Sequence, residues 1–201
     1  MSLMNVLIRP DRAHVLVDSA AYNMVERESF EASKLLLFPL ENVILCSRGE
    51  LTFTRWLYFQ LLNVMSALDY DRIADRLKAV ADELLPKYLE YYLAAGMEPK
   101  HIQQQEICLV GWSAKAGAPQ GVRLIRAGAA FTVETMGGHI SPALPAGLPD
   151  QAGSTDEQWL CEIARHQIAH VSAMASGPPI GGTLMLATLT KDRTEMQRLC
   201  A

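Results

Sequence analysis

The stretch "ASKLLLFPLENVILCSRGELTFTRWLYFQLL", residues 32–62, runs a lysine into an apolar strand, turns at Pro39 into a second one, and stops at a Ser-Arg-Gly corner. A bulky amphipathic run follows, with Phe53, Trp56, Leu57, Leu61 and Val64 at helical spacing over 50–68. A strand, a corner and a helix in this order can hold a phosphate. This corner does not: it has one Gly, no Gly-x-x-x-x-Gly-Lys-Ser/Thr pattern, and Glu50 where an anion would dock.

Working outward, residues 5–9 and 14–18 are short apolar runs broken by Pro-Asp-Arg, a hairpin signal. Downstream of the first helix, Ile73, Leu77, Val80 and Leu84 form one stripe of a second helix over 71–93, which Pro86 should kink or divide. Three runs, "EICLVGW", "GVRLIRAG" and "AFTVETM", separated by Gly and Ala-Pro turns, predict a meander. The Pro/Gly-rich loop "ISPALPAGLPDQAGS" then leads to a helix that Thr155 or Asp156 can cap, followed by a last strand in "GGTLMLATLTKD". The predicted order is four strands, two helices, three strands, a helix and a strand. It lacks the β–α alternation of a parallel sheet, so the expected class is α+β: two antiparallel sheets with helices packed outside them, in one domain over 1–201. The runs at 15–17, 43–45, 109 and 184–186 are expected to be buried between the two sheets.

Composition narrows the function classes. Of 201 residues, 50% are hydrophobic and 20% charged, as in an ordinary globular protein. The net charge of −4 with interspersed signs gives no basic footprint for nucleic acid and no polybasic segment for a membrane. No apolar run nears the ~20 residues of a spanning helix. Cys46, Cys108, Cys161 and Cys200 lie far apart without a Cys-x-x-Cys, which fits reduced core thiols of a cytosolic, cytoplasmic protein. At the N-terminus, the second Met after three residues makes Met4 a candidate natural start, with "MSL" added ahead of it.

The element order, with "VLVDSA" on the second strand, Lys34 before "LLFPLENVILCSRG", the helix pair, "ICLVGW…GVRLIRAG" and the closing "SGPPIGGTLMLATLTKD", resembles the proteasome β-subunit and its bacterial two-component peptidase relative. Both are N-terminal-nucleophile (Ntn) hydrolases. The resemblance implies a four-layer αββα sandwich, a homo-oligomer and a peptide or protein substrate. It also implies that the first residue of the mature chain supplies both the nucleophile and, through its α-amine, the base, tuned by a buried Lys–Asp pair. Counted from Ser2, Asp18 lies 16 residues on and Lys34 lies 32 on, the family's spacing. The corner would offer the backbone N–H of Cys46 to an oxyanion, and Ser176 of Ser-Gly would serve near the last strand.

Three positions depart from that pattern. Cys46 replaces a corner glycine, Ala173 stands where an amine-orienting Asp belongs, and Gly137 where a serine does. With a start at Met4 there is no nucleophile at all. Two readings follow: a fold relative with lost or degenerate peptidase activity that acts as an oligomeric assembly or binding protein, which these departures favour, or an active amidohydrolase using Ser2, Asp18 and Lys34.

No cofactor is implied. His166 and His170, four apart with Glu162 one turn before, share a helix face, but Gln167 stands where the zinc-protease pattern needs Glu, so no tight metal site is expected. The run "WLYFQLLNVM" is more apolar than one helix face requires, which places Trp56, Tyr58 or Phe59 at a subunit contact.

Overall fold

The computed structural model describes residues 2–23, 26–38, 40–64, 69–98, 102–174 and 180–199. Six strands come first: β1 (Met4–Ile8), β2 (Ala13–Asp18), β3 (Ala20–Asn23), β4 (Glu28–Glu31), β5 (Leu35–Phe38) and β6 (Val43–Arg48). Helices α1 (Leu51–Val64) and α2 (Tyr70–Ala94) precede β7 (Glu106–Ser113), β8 (Ala118–Ala127), β9 (Ala130–Met136) and β10 (Gly138–Ser141). Helix α3 (Asp156–Ser172) and strands β11 (Leu184–Leu189) and β12 (Thr194–Leu199) close the described chain.

The expected four-layer αββα sandwich of two antiparallel sheets is corrected by this arrangement. Among the described residues three sheets form, not two: β10-β1-β2-β11-β12, β5-β6-β7-β8-β9, and a separate ribbon of β3 and β4. The structure is mostly β, with strand exceeding helix. The unforeseen strands share a cause. "ESFE" of β4 and "TEMQRL" of β12 are largely exposed, and "GHIS" of β10 is short and polar, so hydrogen bonding to a neighbour holds them rather than an apolar face.

Burial between two sheets also proves too broad an expectation, because side chains alternate across a strand. Val15, Val17 and Ile44 do meet Met4, Cys108, Val110 and Ala187 in a core shared by both five-stranded sheets. Leu16, Leu184 and Leu186 point the other way, to Leu160 and Ala164 of α3, and Val43, Leu45 and Leu109 pack with α1 and α2. Each central strand is therefore apolar on both faces for two different partners.

Helix α2 runs unbroken through Pro86. Leu85, Tyr88 and Tyr92 are buried around and beyond it, so tertiary packing outweighs the lost hydrogen bond. Its first residue sits against β7, where a Cβ on Gly111 would meet the Tyr70 ring at 2.7 Å. Thr155 caps α3 in a capping box with Gln158. Among the described residues no helix is long and apolar enough to cross a membrane.

Candidate active site

The end of the sheet where β1 begins gathers the candidate residues. β1 pairs antiparallel with β2, Met4 opposite Val17, so the chain entering β1 runs beside Asp18 at the end of β2. Asp18 is completely buried and Lys34 nearly so, and Lys34 Nζ lies 2.7 Å from Asp18 Oδ1. The same oxygen accepts the Leu3 N–H at 2.8 Å, while Oδ2 accepts the Gly181 N–H at 3.1 Å. Lys34 also donates to the Ala20 carbonyl. Ser2, the residue before Leu3, is also buried.

Lys34 reaches this position because it directly precedes β5, whose partner β6 holds the backbone, with the Ser47 N–H donating to the Lys34 carbonyl at 3.3 Å. Desolvation dominates its electrostatics and lowers its pKa below the ordinary lysine value, against the opposing attraction of Asp18. A buried ammonium shared between one carboxylate and one carbonyl is a costly arrangement, of the kind that recurs where proton affinity is tuned.

Asp18 and Lys34 are thus brought together against the Leu3 backbone, one residue along the chain from Ser2. Cys46 is not. It lies inside β6, registered against Leu35 on one side and Cys108 on the other. The Ser47 N–H points to β5, and neighbouring N–H groups along a strand alternate, so the Cys46 N–H points into the ladder with β7 and is not free for an oxyanion. Its thiol faces Cys108, whose own pKa is pushed well up by that contact and by burial. Ser176 lies outside the described residues. Ala173 is the C-cap of α3 and Gly137 is exposed, so neither supplies a polar side chain.

The backbone partners of Asp18, Leu3 and Gly181, had no signal in the residue pattern, since any residue supplies an N–H. A second charged cluster joins the sheets nearby. Glu106 of β7 faces Arg48 at 3.4 Å, Arg123 at 3.7 Å and His139 at 3.8 Å, and Arg48 Nη1 donates to Ser141 Oγ at 3.0 Å. Arg123 also donates to His139 Nδ1 at 2.9 Å, which leaves the imidazole proton on Nε2, facing Glu106. His139 and then the Arg48 guanidinium hold the Glu106 carboxyl down at about 2, against the effect of burial.

That depression has a testable sign. A carboxylate whose folded pKa lies below its unfolded value of 4.5 stabilises fully above 4.5, and the gain is lost as pH falls through about 2. Allowing for solvent screening, Glu106→Gln is expected to cost on the order of 2 kcal/mol at pH 7. The gap from wild type in urea unfolding should narrow by more than half at pH 3.

Compared with known proteins, the chain matches no family model and no curated sequence.

Proposed function

We propose that this chain is an N-terminal-nucleophile amidohydrolase of the proteasome-like kind, acting on a peptide or protein amide through Ser2. The observation that carries the reading is the buried Lys34–Asp18 pair whose carboxylate also binds the Leu3 N–H, directly beside Ser2. A buried ion pair is a weak contributor to stability, so its placement against the first residues is better explained by chemistry than by folding. Leu3 is itself fully buried among Leu16, Leu160 and Leu184, so residues 2 and 3 pack as part of the fold.

In this reading cleavage of the peptide bond before Ser2 exposes its α-amine, whose ordinary pKa of ~8 suits a general base. The amine takes the Ser2 hydroxyl proton as Oγ attacks the substrate carbonyl, and returns it to the leaving amine. An acyl ester on Ser2 remains, and a water that loses its proton to the same amine then hydrolyses it. Lys34, with its cation close by, holds the amine's proton affinity down, and Asp18 positions Lys34. Buried free thiols at Cys46 and Cys108 suit a reducing, cytosolic setting.

The alternative, a non-catalytic assembly protein, draws support from the occupied Cys46 N–H and from the surface of α1. Phe59 is 59% exposed and Leu62 and Val64 are exposed with it, whereas Tyr58 turns inward to donate to the Leu37 carbonyl. Self-association through α1 is compatible with either reading, and Phe59 is its outward anchor. Phe59→Glu is expected to shift the chain to monomer in sedimentation analysis. A wild-type chain already monomeric would remove this part of the proposal.

The deciding experiment compares a chain begun at Ser2 with one begun at Met4 on a panel of fluorogenic peptides. Hydrolysis by the first and not the second is expected. Association without hydrolysis in both would favour the assembly reading.

A further inference from the structure

Helix α3 carries a second feature on the face away from Leu3. The loop after β10 is tied to it twice: Gln167 Nε2 donates to the Pro142 carbonyl at 2.6 Å, and Trp159 Nε1 to the Pro149 carbonyl at 2.8 Å. Between these ties the loop turns, with the Gly147 N–H on the Leu144 carbonyl at 3.0 Å. The arch does not collapse onto the helix. It leaves an open-sided groove of 390 Å³ lined by residues 144–149 together with His166 and His170. Pro145 and Pro149 restrict the loop's backbone, so the groove is set by the chain and not by an occupant.

The lining chemistry selects a ligand class. Leu144, Pro145, Ala146, Leu148 and Pro149 present apolar surface, and the two imidazoles are the polar side chains. Among the described residues no lysine or arginine lines the site to neutralise an acid, and the Glu162 carboxylate, 3.9 Å from His166 Nε2, disfavours an anion at that end. Each neutral imidazole offers one donor and one acceptor, which a hydroxyl group can satisfy in either sense. Proline and imidazole rings suit a flat partner. A groove of this volume, open on one side, seats roughly 10–15 heavy atoms, about the size of a two-ring molecule.

We propose that the arch of residues 144–149 over His166 and His170 is a binding site for a small uncharged aromatic molecule bearing a hydroxyl group. The site is independent of Ser2 chemistry. It sits on the same helix whose opposite face, through Leu160 and Ala164, packs against Leu3.

The test uses the full chain, with 2-naphthol as probe and naphthalene-2-sulfonate as its charged counterpart, followed through the imidazole nitrogen resonances. Saturable shifts of His166 and His170, without shifts of His14 or His139, are expected. The sulfonate should bind at least tenfold more weakly. Ala146→Trp, which fills the groove, should abolish binding with an unchanged melting temperature, and His170→Leu should weaken 2-naphthol about tenfold should the tryptophan disturb the loop. Absence of saturable shifts, equal binding of the sulfonate, or stoichiometric zinc held by the histidine pair would overturn the assignment.

Discussion

A Ser2→Ala chain is expected to lose peptide turnover by at least ~10³-fold, to the uncatalysed background, while folding as wild type does. The substitution removes one oxygen from a buried residue and leaves its backbone in place. Leu3, Asp18 and Lys34 keep their contacts, since those run through the Leu3 backbone and the Lys34 ammonium. Ser2→Thr, which keeps a hydroxyl on the same carbon, should retain measurable hydrolysis. Equal activity in the alanine and threonine chains would show that another group attacks.

The second large effect concerns the buried pair. Asp18→Ala leaves Lys34 without its counter-charge and strips acceptors from the Leu3 and Gly181 N–H groups, so a loss of about 3–5 kcal/mol is expected. Lys34→Met leaves the buried Asp18 carboxylate with the Leu3 and Gly181 N–H donors but without its cation, so it should also destabilise, by less only as far as those two donors hold the charge. Burial lowers the folded pKa of Lys34 below its unfolded value of 10.5, so the unfolded chain holds that proton more tightly. Stability tied to this group is therefore full only above 10.5 and is reduced at neutral pH, which offsets part of what Lys34→Met loses. Activity should fall in both variants, by about 10²–10⁴-fold for Lys34→Met, because the α-amine loses its cation. Chemical denaturation beside peptide hydrolysis separates the two. Lys34→Met destabilising more than Asp18→Ala would refute the assignment of roles.

Much of this centre was legible in the sequence because it depends on spacing along strands. Asp18 ends an apolar run and Lys34 precedes another, and such positions lie at the same end of a structure built from antiparallel strands. The Cys46 N–H was misplaced because its direction depends on register: one residue along β6 separates an N–H aimed at β5 from one aimed at β7. The ribbon of β3 and β4 escaped for another reason. Its residues have no buried stripe, and it forms where the chain passes from Ser19, whose N–H bonds the Thr183 carbonyl, and returns at Ala32, which bonds the Ser19 carbonyl. Pro86 misled in the opposite sense, because the buried rings of Tyr88 and Tyr92 lie downstream of it and hold the helix together. Nothing in the pattern of the 144–149 loop announced a groove, since its width is set by two side-chain ties from a helix that follows it.

The most direct test of the central claim is to treat the chain begun at Ser2 with a peptide β-lactone and map the acyl group by mass spectrometry. One adduct is expected, on Ser2, greatly slowed in Lys34→Met. An adduct confined to Cys161 or to surface lysines, with Ser2 unmodified, would contradict it.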